Sequence, residues 1–466
     1  MRLLPSVRPT SEQLTILSDT KPGFALIRGA AGSGKTTTAL LRLKQLCGYW
    51  TSRRTRLDLT DPVRVLVLTY NRTLEGYIRE LAYQQVVSSD ALILEVSTFA
   101  KWAKGLAGAG HVLDARGMAS VLGPLIRSIT TDVDFMTDEV EYVLGRFEPN
   151  RFDEYLTARR DGRGASPRMD RAWREKLLEQ VIYPYNEKKT AANQRDWNDV
   201  AVAAKDSESS VNYDIVIVDE AQDFSANQVR AILKHLSVNN SVTFVIDAAQ
   251  RVYPRSFSWK EAGVTNFSSI HSLKKNYRNT KEIAAFARSI TVGLPLEDDG
   301  TLPDFSACED SGDLPTVIAG KYSEQVEYML DFVTSKVDLK SESVAFLQPK
   351  GGQWFDFLQE RLTGAGLDWV TLTRRSNWPT GPEQIALSTL HSAKGLEFDH
   401  VFIPGLNQQV TPHGSGEGDS QLSALRRLVA MGIGRARRTV MVGYKPDDAS
   451  TIVGMFGAGT YTSVVK

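Results

Sequence analysis

Short apolar runs, each followed by a polar loop and an amphipathic stretch, set the pattern of this chain. Phe24-Ala25-Leu26-Ile27 reads as a buried strand, and residues 37–47, with Leu40, Leu41 and Leu43, read as the helix after it. Residues 63–68 repeat the theme with β-branched Val63, Val65 and Val67. They end in Thr69-Tyr70-Asn71-Arg72, and a helix follows with Leu74, Tyr77, Ile78 and Leu81 on one face. Residues 92–96 form a third strand ending at Ser97-Thr98-Phe99. Ile215-Val216-Ile217-Val218 is the most strongly apolar strand signal, and residues 242–246 are another. Polar and aromatic residues therefore sit where strands end, the side that carries sites in open α/β sheets.

Between 101 and 206 the strand runs disappear. Trp173, Leu177, Leu178, Val181, Ile182 and Tyr185 make one apolar helical stripe, with Arg171, Arg174, Lys176 and Glu179 off it. This segment reads as a helical insertion. Its Arg159-Arg160-Asp161-Gly162-Arg163 loop is either a phosphate-contacting edge or a solvated one. A helix through Ile283 and Phe286 precedes residues 293–315, which are loop-like, so a domain boundary is expected near 280–315. A second α/β unit follows, with strands at 316–319, 344–347, 385–388, 401–403 and 440–442. Helices are expected through Val326, Met329, Leu330 and Val333 and over 354–362, and a Gly- and Ser-containing loop over 411–420.

The chain has 466 residues, room for about three domains at roughly 150 each. Lys plus Arg equals Asp plus Glu at 55 each, so any anionic partner must be held by a local basic surface and not by bulk charge. The two cysteines, Cys47 and Cys308, stand apart, which excludes a disulfide framework and zinc spacing. With no extended apolar leader and no long apolar run, a cytoplasmic protein without a membrane partner is expected.

Gly29-Ala30-Ala31-Gly32-Ser33-Gly34-Lys35-Thr36, followed by Thr37, fits the phosphate-loop pattern, and it lies between a strand and a helix as that pattern requires. Its glycines let backbone N–H groups turn toward phosphate oxygens, and the helix start adds partial positive charge. Lys35 can reach the β- and γ-phosphates, and the Thr36 hydroxyl can hold Mg²⁺. A Gly-rich turn that binds nothing is the bland alternative, and it leaves the flanking strand and helix unexplained. Asp219-Glu220-Ala221-Gln222-Asp223 closes the most apolar strand. Acids there are costly unless they meet a cation, so Asp219 is the Mg²⁺ candidate and Glu220 the base or positioner of water. A strand-capping acid pair is the alternative. Gln13 is either a surface glutamine or a reader of an adenine edge.

Taken in order, these stretches resemble superfamily 1 helicases of the UvrD/Rep type. The likeness runs from Gln13 to Tyr444 through residues 29–37, 69–72, 97–99, 219–223, 247–253, 273–280, 388–402 and 426–436. Thr389-Leu390-His391-Ser392-Ala393-Lys394-Gly395-Leu396-Glu397-Phe398 is nearly word for word that family's fifth motif. The resemblance implies an α/β phosphate-loop fold of two RecA-like parallel-sheet lobes with ATP between them. Residues 1–100 and 207–280 would form the first lobe, 101–206 a mostly helical insertion, and 281–466 the second lobe. It implies that Gln13 contacts adenine, Tyr277 stacks on it and Glu397 holds the ribose. Gln250 would sense the γ-phosphate, and Arg278 and Arg435 would be paired arginine fingers. Single-stranded DNA would cross Tyr70, Asn71, Phe99, Tyr253, Phe257 and Trp259 on the first lobe and Thr389 and His391 on the second. For Phe99 and Trp259 a core position is the alternative.

Three departures stand out. Ala424-Leu425 precede Arg426-Arg427 where the family has an acid, and Gly434 precedes Arg435 where it has Thr. Gly434 is expected to loosen the finger's helix, at about 1 kcal/mol relative to Ala. The stretch between Arg278 and Ser388 is too short for the large second-lobe insertion of full-size relatives. The resemblance thus implies a compact ATP- and Mg²⁺-dependent 3′→5′ translocase. A partner such as a nuclease, or a repair or anti-phage defence factor, is expected beside it. The alternative function is an ATP- and DNA-gated sensor that signals to that partner without processive unwinding.

Overall fold

A computed structural model describes residues 9–466 apart from 30–32, 71, 87–88, 109, 161–167, 247–256, 274–278, 295–307, 309, 351–352, 374–377, 380 and 415–418. The strands in chain order are β1 (Gly23–Gly29), β2 (Val63–Thr69), β3 (Leu92–Thr98), β4 (His111–Val112), β5 (Gln194–Arg195), β6 (Tyr213–Val218), β7 (Leu236–Ile246) and β8 (Ser269–Leu273). They continue with β9 (Thr316–Ala319), β10 (Val344–Gln348), β11 (Trp369–Thr371), β12 (Ile385–Thr389), β13 (Phe398–Ile403), β14 (Ala436–Tyr444) and β15 (Thr462–Val465). Among the described residues, one sheet runs β3-β2-β6-β7-β1-β8 and a second runs β11-β12-β10-β13-β14-β9-β15, every pairing parallel. These are the two RecA-like lobes, and a mostly helical insertion sits in the first.

The apolar runs fold this way because both faces of each central strand are covered. Val63, Val65, Leu66, Val67 and Leu68 are buried along β2, as is every residue of β6. Parallel strands bring their carboxyl ends to one edge, so the loops after β1, β2, β3 and β6 open on the same side of the first sheet. β7 begins well before the predicted 242–246, and its first residues are only partly covered. β8, β11 and β15 gave no apolar run. β8 and β15 lie at sheet edges with exposed residues, and β11 has three residues.

The insertion packs around its own core. Leu177, Leu178, Val181, Ile182 and Tyr185 are buried as the stripe predicts, along a helix that passes through a π-turn at Leu178–Ile182. The small parallel pair β4–β5 closes its base.

The two lobes share one continuous apolar core along the helix Arg72–Gln85. On it, Thr73 donates from Oγ1 to the Leu372 carbonyl at 2.7 Å, and Tyr77 packs on Trp378 at 5.0 Å between ring centroids. Leu74 fills the space beside Gly395, where a Cβ would lie 2.5 Å from its Cδ1 and φ is +84°. The lobes are therefore closed on each other through side-chain packing.

Arg42 fixes the first helix to the phosphate-loop helix Lys35–Arg56. It is 1% exposed and donates to the carbonyls of Ile16, at 3.0 Å, and Asp19, and to Thr243 Oγ1 at 3.2 Å. Arg42→Ala removes the donor and leaves those carbonyls buried. It is expected to cost about 3 kcal/mol, read as a lower midpoint in urea unfolding.

Candidate functional site between the two sheets

The site begins where β1 ends. Gly29 is tightly packed: a Cβ there would lie 2.4 Å from Ser33 Oγ and 3.0 Å from Lys35 Cγ. Gly34, with φ of +76°, takes the left-handed turn into the helix Lys35–Arg56. Lys35 is buried at the first helical position and Thr36 follows it. Ala30, Ala31 and Gly32 lie outside the described residues.

Gln13 reaches this turn from the helix Ser11–Ser18. It is 7% exposed, and its Nε2 lies 2.8 Å from where a Gly34 Cβ would be. Its Oε1 accepts from the Thr10 backbone N–H at 3.0 Å, closing a capping box that fixes the side chain. The surface reading of Gln13 is thus replaced by a buried one, next to the phosphate loop.

Two strands away, β6 ends in the acids. Thr36 Oγ1 donates to Asp219 at 3.2 Å and 3.1 Å to its two carboxylate oxygens. Burial and the adjacent Glu220 charge push Asp219 up to about 7. Glu220 is 6% exposed with φ of +53°, left-handed backbone that costs a non-glycine residue about 1 kcal/mol. Burial alone would raise its pKa. Lys394, Lys35 and Arg435 outweigh that and hold it below the usual carboxylate range. Gln222 Nε2 donates to Glu220 Oε2.

The second sheet supplies cations to this point. Lys394, in the turn between β12 and β13, pairs with Asp223 and lies 3.5 Å from Glu220. Arg435, just before β14, is 3% exposed and donates to Met431 Sδ at 3.3 Å and the Leu396 carbonyl at 3.5 Å. Glu397 is partly buried in the same turn as Lys394. Gln250, Tyr277 and Arg278 lie outside the described residues.

Gly434 corrects an expectation. The helix Ser420–Ile433 ends before it, and Gly434 is the C-cap with φ of −66°. It does not interrupt the helix, and Arg435 stands on the turn into β14.

The nucleic-acid candidates separate. Thr389 ends β12, its Oγ1 3.0 Å from Ser392 Oγ, and His391 beside it is exposed. Tyr70 follows β2, half-buried against Phe224 at 6.3 Å. Phe257 and Trp259 are half-buried at the edge of a cluster, with Trp259 4.7 Å from Phe244 and 5.5 Å from Phe267. Phe99 is 3% exposed, packed against Trp102 and Phe224, which puts it in the core and leaves no ring face for a base. Asn71 and Tyr253 lie outside the described residues. Of the basic loop, Arg160 is paired with buried Glu139 at 2.7 Å.

Sequence reading gave no role to Lys394, Asp223 or Gln222. Their signal was present: a lysine between Ala393 and the Gly395-Leu396 pair, and polar residues directly after a buried strand, each needing a partner once buried.

Among known proteins, residues 13–255 match the AAA domain family and residues 358–446 the UvrD-like helicase C-terminal domain family. The ATP-dependent DNA helicase UvrD1 of Mycobacterium leprae is 49% identical over 181 residues, 35% of this chain and 22% of that protein. The ATP-dependent DNA helicase Rep of Escherichia coli is 33% identical over 99 residues, 18% of this chain and 15% of that protein. The ATP-dependent DNA helicase PcrA of Bacillus subtilis is 35% identical over 107 residues, 23% of this chain and 13% of that protein. The matched stretches thus span less than a quarter of each of these three relatives.

Lys394→Met removes a buried cation that faces two carboxylates from the opposite lobe. Its expected cost is about 3 kcal/mol of stability in urea unfolding. Adding Asp223→Leu is expected to recover a large part of that loss, because the orphaned charge goes with it. Additive losses in the double mutant would show that the two side chains are not coupled.

Proposed function

This chain belongs to the UvrD/Rep-type helicases, and from that premise we propose that it is an ATP- and Mg²⁺-dependent motor on single-stranded DNA, moving 3′→5′. One observation carries the reading. Thr36, Asp219 and Glu220 on the first lobe, with buried Lys35, converge with Lys394 and Arg435 of the second on one closed cleft.

The oxygen donors fit Mg²⁺. A hydroxyl and a carboxylate, Thr36 and Asp219, already touch, and Mg²⁺ is commonly held by one or two carboxylates together with substrate phosphates. The raised pKa of Asp219 is that of a buried carboxylate placed to meet a cation. Held by Thr36 and Asp219, Mg²⁺ would supply positive charge against the charge that develops on the phosphate.

The chain's own residues would act as follows. Lys35 grips the β- and γ-phosphates, Gln13 meets the adenine edge, Tyr277 stacks on the base and Glu397 holds the ribose. Glu220, kept ionised by three cations and oriented by Gln222, aligns the attacking water. A carboxylate held this low is a weak base in the ground state, so its main contribution is orientation. Arg435 and Arg278 stabilise charge on the transferring phosphate, with Gln250 sensing it. Because Arg435 comes from the second lobe, hydrolysis and cleft closure are coupled.

DNA would cross the carboxyl edges of both sheets. Tyr70, Phe257, Trp259 and Tyr253 would offer ring faces at about 1–3 kcal/mol per stacked base, Asn71 and Thr389 would meet phosphates, and His391 would contact the strand on the second lobe. The lobes of this motor would be residues 1–100 with 207–280, and 281–466, with 101–206 as the insertion. A protein partner, such as a nuclease or a repair or defence factor, belongs to this reading, as does a cytoplasmic setting. Among the described residues no helix is long and apolar enough to cross a membrane.

The test is ATP hydrolysis at low salt with no nucleic acid, single-stranded DNA, duplex DNA or single-stranded RNA, with Lys35→Ala as the blank. Stimulation by single-stranded DNA is expected. Glu220→Gln is expected to bind ATP and DNA while its turnover falls about 100-fold or more. Near-normal hydrolysis by Glu220→Gln would remove Glu220 from its role. A flat rate across all four conditions would replace the motor with a nucleotide-gated sensor.

A further inference from the structure

Asn279 is 3% exposed. Its side-chain amide donates from Nδ2 to the Gly434 carbonyl at 3.1 Å and to the Ala436 carbonyl at 2.5 Å. Those two carbonyls flank Arg435. An NH₂ group has two hydrogens, and here each goes to one side of the same residue.

The clamp adds to the backbone hydrogen bonds around Arg435. The backbone N–H of Arg435 donates to Gly432 at 3.1 Å, and its carbonyl accepts from the Phe398 N–H at 3.0 Å. Asn279 adds a side-chain hydrogen bond at the Gly434 carbonyl and another at the Ala436 carbonyl. Gly434 is the soft point. Its φ of −66° is open to any residue, and a Cβ would meet Ala430 O at 3.4 Å and Met431 O at 3.5 Å, ordinary contacts. Neither conformation nor space demands a glycine there, and glycine brings backbone freedom directly before the arginine.

Asn279 can restrain that freedom because it is itself fixed. It precedes Thr280, the N-cap of the helix Lys281–Thr291, whose side chain accepts from the Ile283 N–H. That helix packs on Ser420–Ile433, and Arg426 ties the two by donating to the Ile290 carbonyl at 2.8 Å and the Val292 carbonyl at 2.5 Å. The clamp thus joins the end of one helix to the end of its neighbour, with Arg435 held between.

We propose that Asn279 is the positioning residue of Arg435: its amide clamps the carbonyls of the residues on both sides of that arginine, Gly434 and Ala436, and so sets where the guanidinium stands in the cleft. This rests on the ATPase reading above. A guanidinium misplaced by about 1 Å costs a reaction on the order of 100-fold. In this role Asn279 acts on the reaction through the backbone that carries Arg435.

The experiment is steady-state ATP hydrolysis with single-stranded DNA for the full chain and Lys35→Ala, Asn279→Ala, Asn279→Leu, Arg435→Ala and Asn279→Ala/Arg435→Ala. Asn279→Leu keeps the volume without the donors, and serves if the alanine variant does not fold. Either Asn279 variant is expected to lower kcat about 10- to 100-fold with KM for ATP within about twofold. In the Arg435→Ala background, Asn279→Ala is expected to change nothing further. A second multiplicative loss in the double mutant would overturn the proposal, since a general structural role predicts it. So would Asn279 variants with the parent kcat while Lys35→Ala is dead. A parent chain no more active than Lys35→Ala would instead overturn the ATPase reading, and this inference with it.

Discussion

Three carboxylates at the end of one strand, Asp219, Glu220 and Asp223, are all buried, and the rest of the molecule answers to that. An isolated carboxylate in a protein interior costs several kcal/mol even after relaxation, so each must find a cation or take a proton. The chain does both. Burial and the Glu220 charge push Asp219 upward, Glu220 is held low by lysine and arginine, and Asp223 pairs with Lys394. Of these cations, only Lys35 belongs to the same lobe. Lys394 and Arg435 arrive from the other, so the charge cluster is complete only when the cleft is closed.

Charge alone would make poor glue, because desolvation offsets much of the attraction between buried ions. The apolar seam supplies the remainder. Leu74, Tyr77 and Trp378 join the two lobe cores into one, and Gly395 lets Leu74 approach the turn that carries Lys394. Packing therefore brings the lobes together, and the ion pairs set their register. The division suits a cleft that must open and close: hydrophobic contact is tolerant of small slides, whereas a buried ion pair is not.

The buried parallel strands were legible because each is an apolar run bounded by polar loops, and a strand covered on both faces can hardly look otherwise. The edge strands β8 and β15 were not, since half of each faces solvent and the pattern dissolves into loop composition. The nucleotide candidates were legible as local words in the sequence, from Lys35 to Glu220. What joins them was not. Lys394 and Asp223 are 171 residues apart, and Asn279 and Gly434 155 apart. No periodicity or spacing reports a contact of that range. Phe99 and Trp259 looked alike as aromatic residues near strand ends. Phe99 sits on the first turn of a helix that packs inward, and Trp259 is at the rim of a four-ring cluster, a difference decided by neighbours far along the chain.

Gly434 carries the same lesson to the level of a single residue. Read locally, a glycine before a functional arginine is a weakness, because its peptide is the most mobile in the segment. Read in the fold, it lies past the helix end, and the mobility it brings is taken up by an amide from the residue before another helix's N-cap. Rigidity at an active arginine need not be built into the segment that bears it. A backbone that is soft by sequence can be made stiff by one well-placed pair of donors, at a cost of one ordered side chain and about 1 kcal/mol gained per hydrogen bond. The arrangement makes Arg435 depend on the contact between the helices Lys281–Thr291 and Ser420–Ile433, so a change in how these two helices pack is transmitted to the guanidinium without any substitution at the arginine itself.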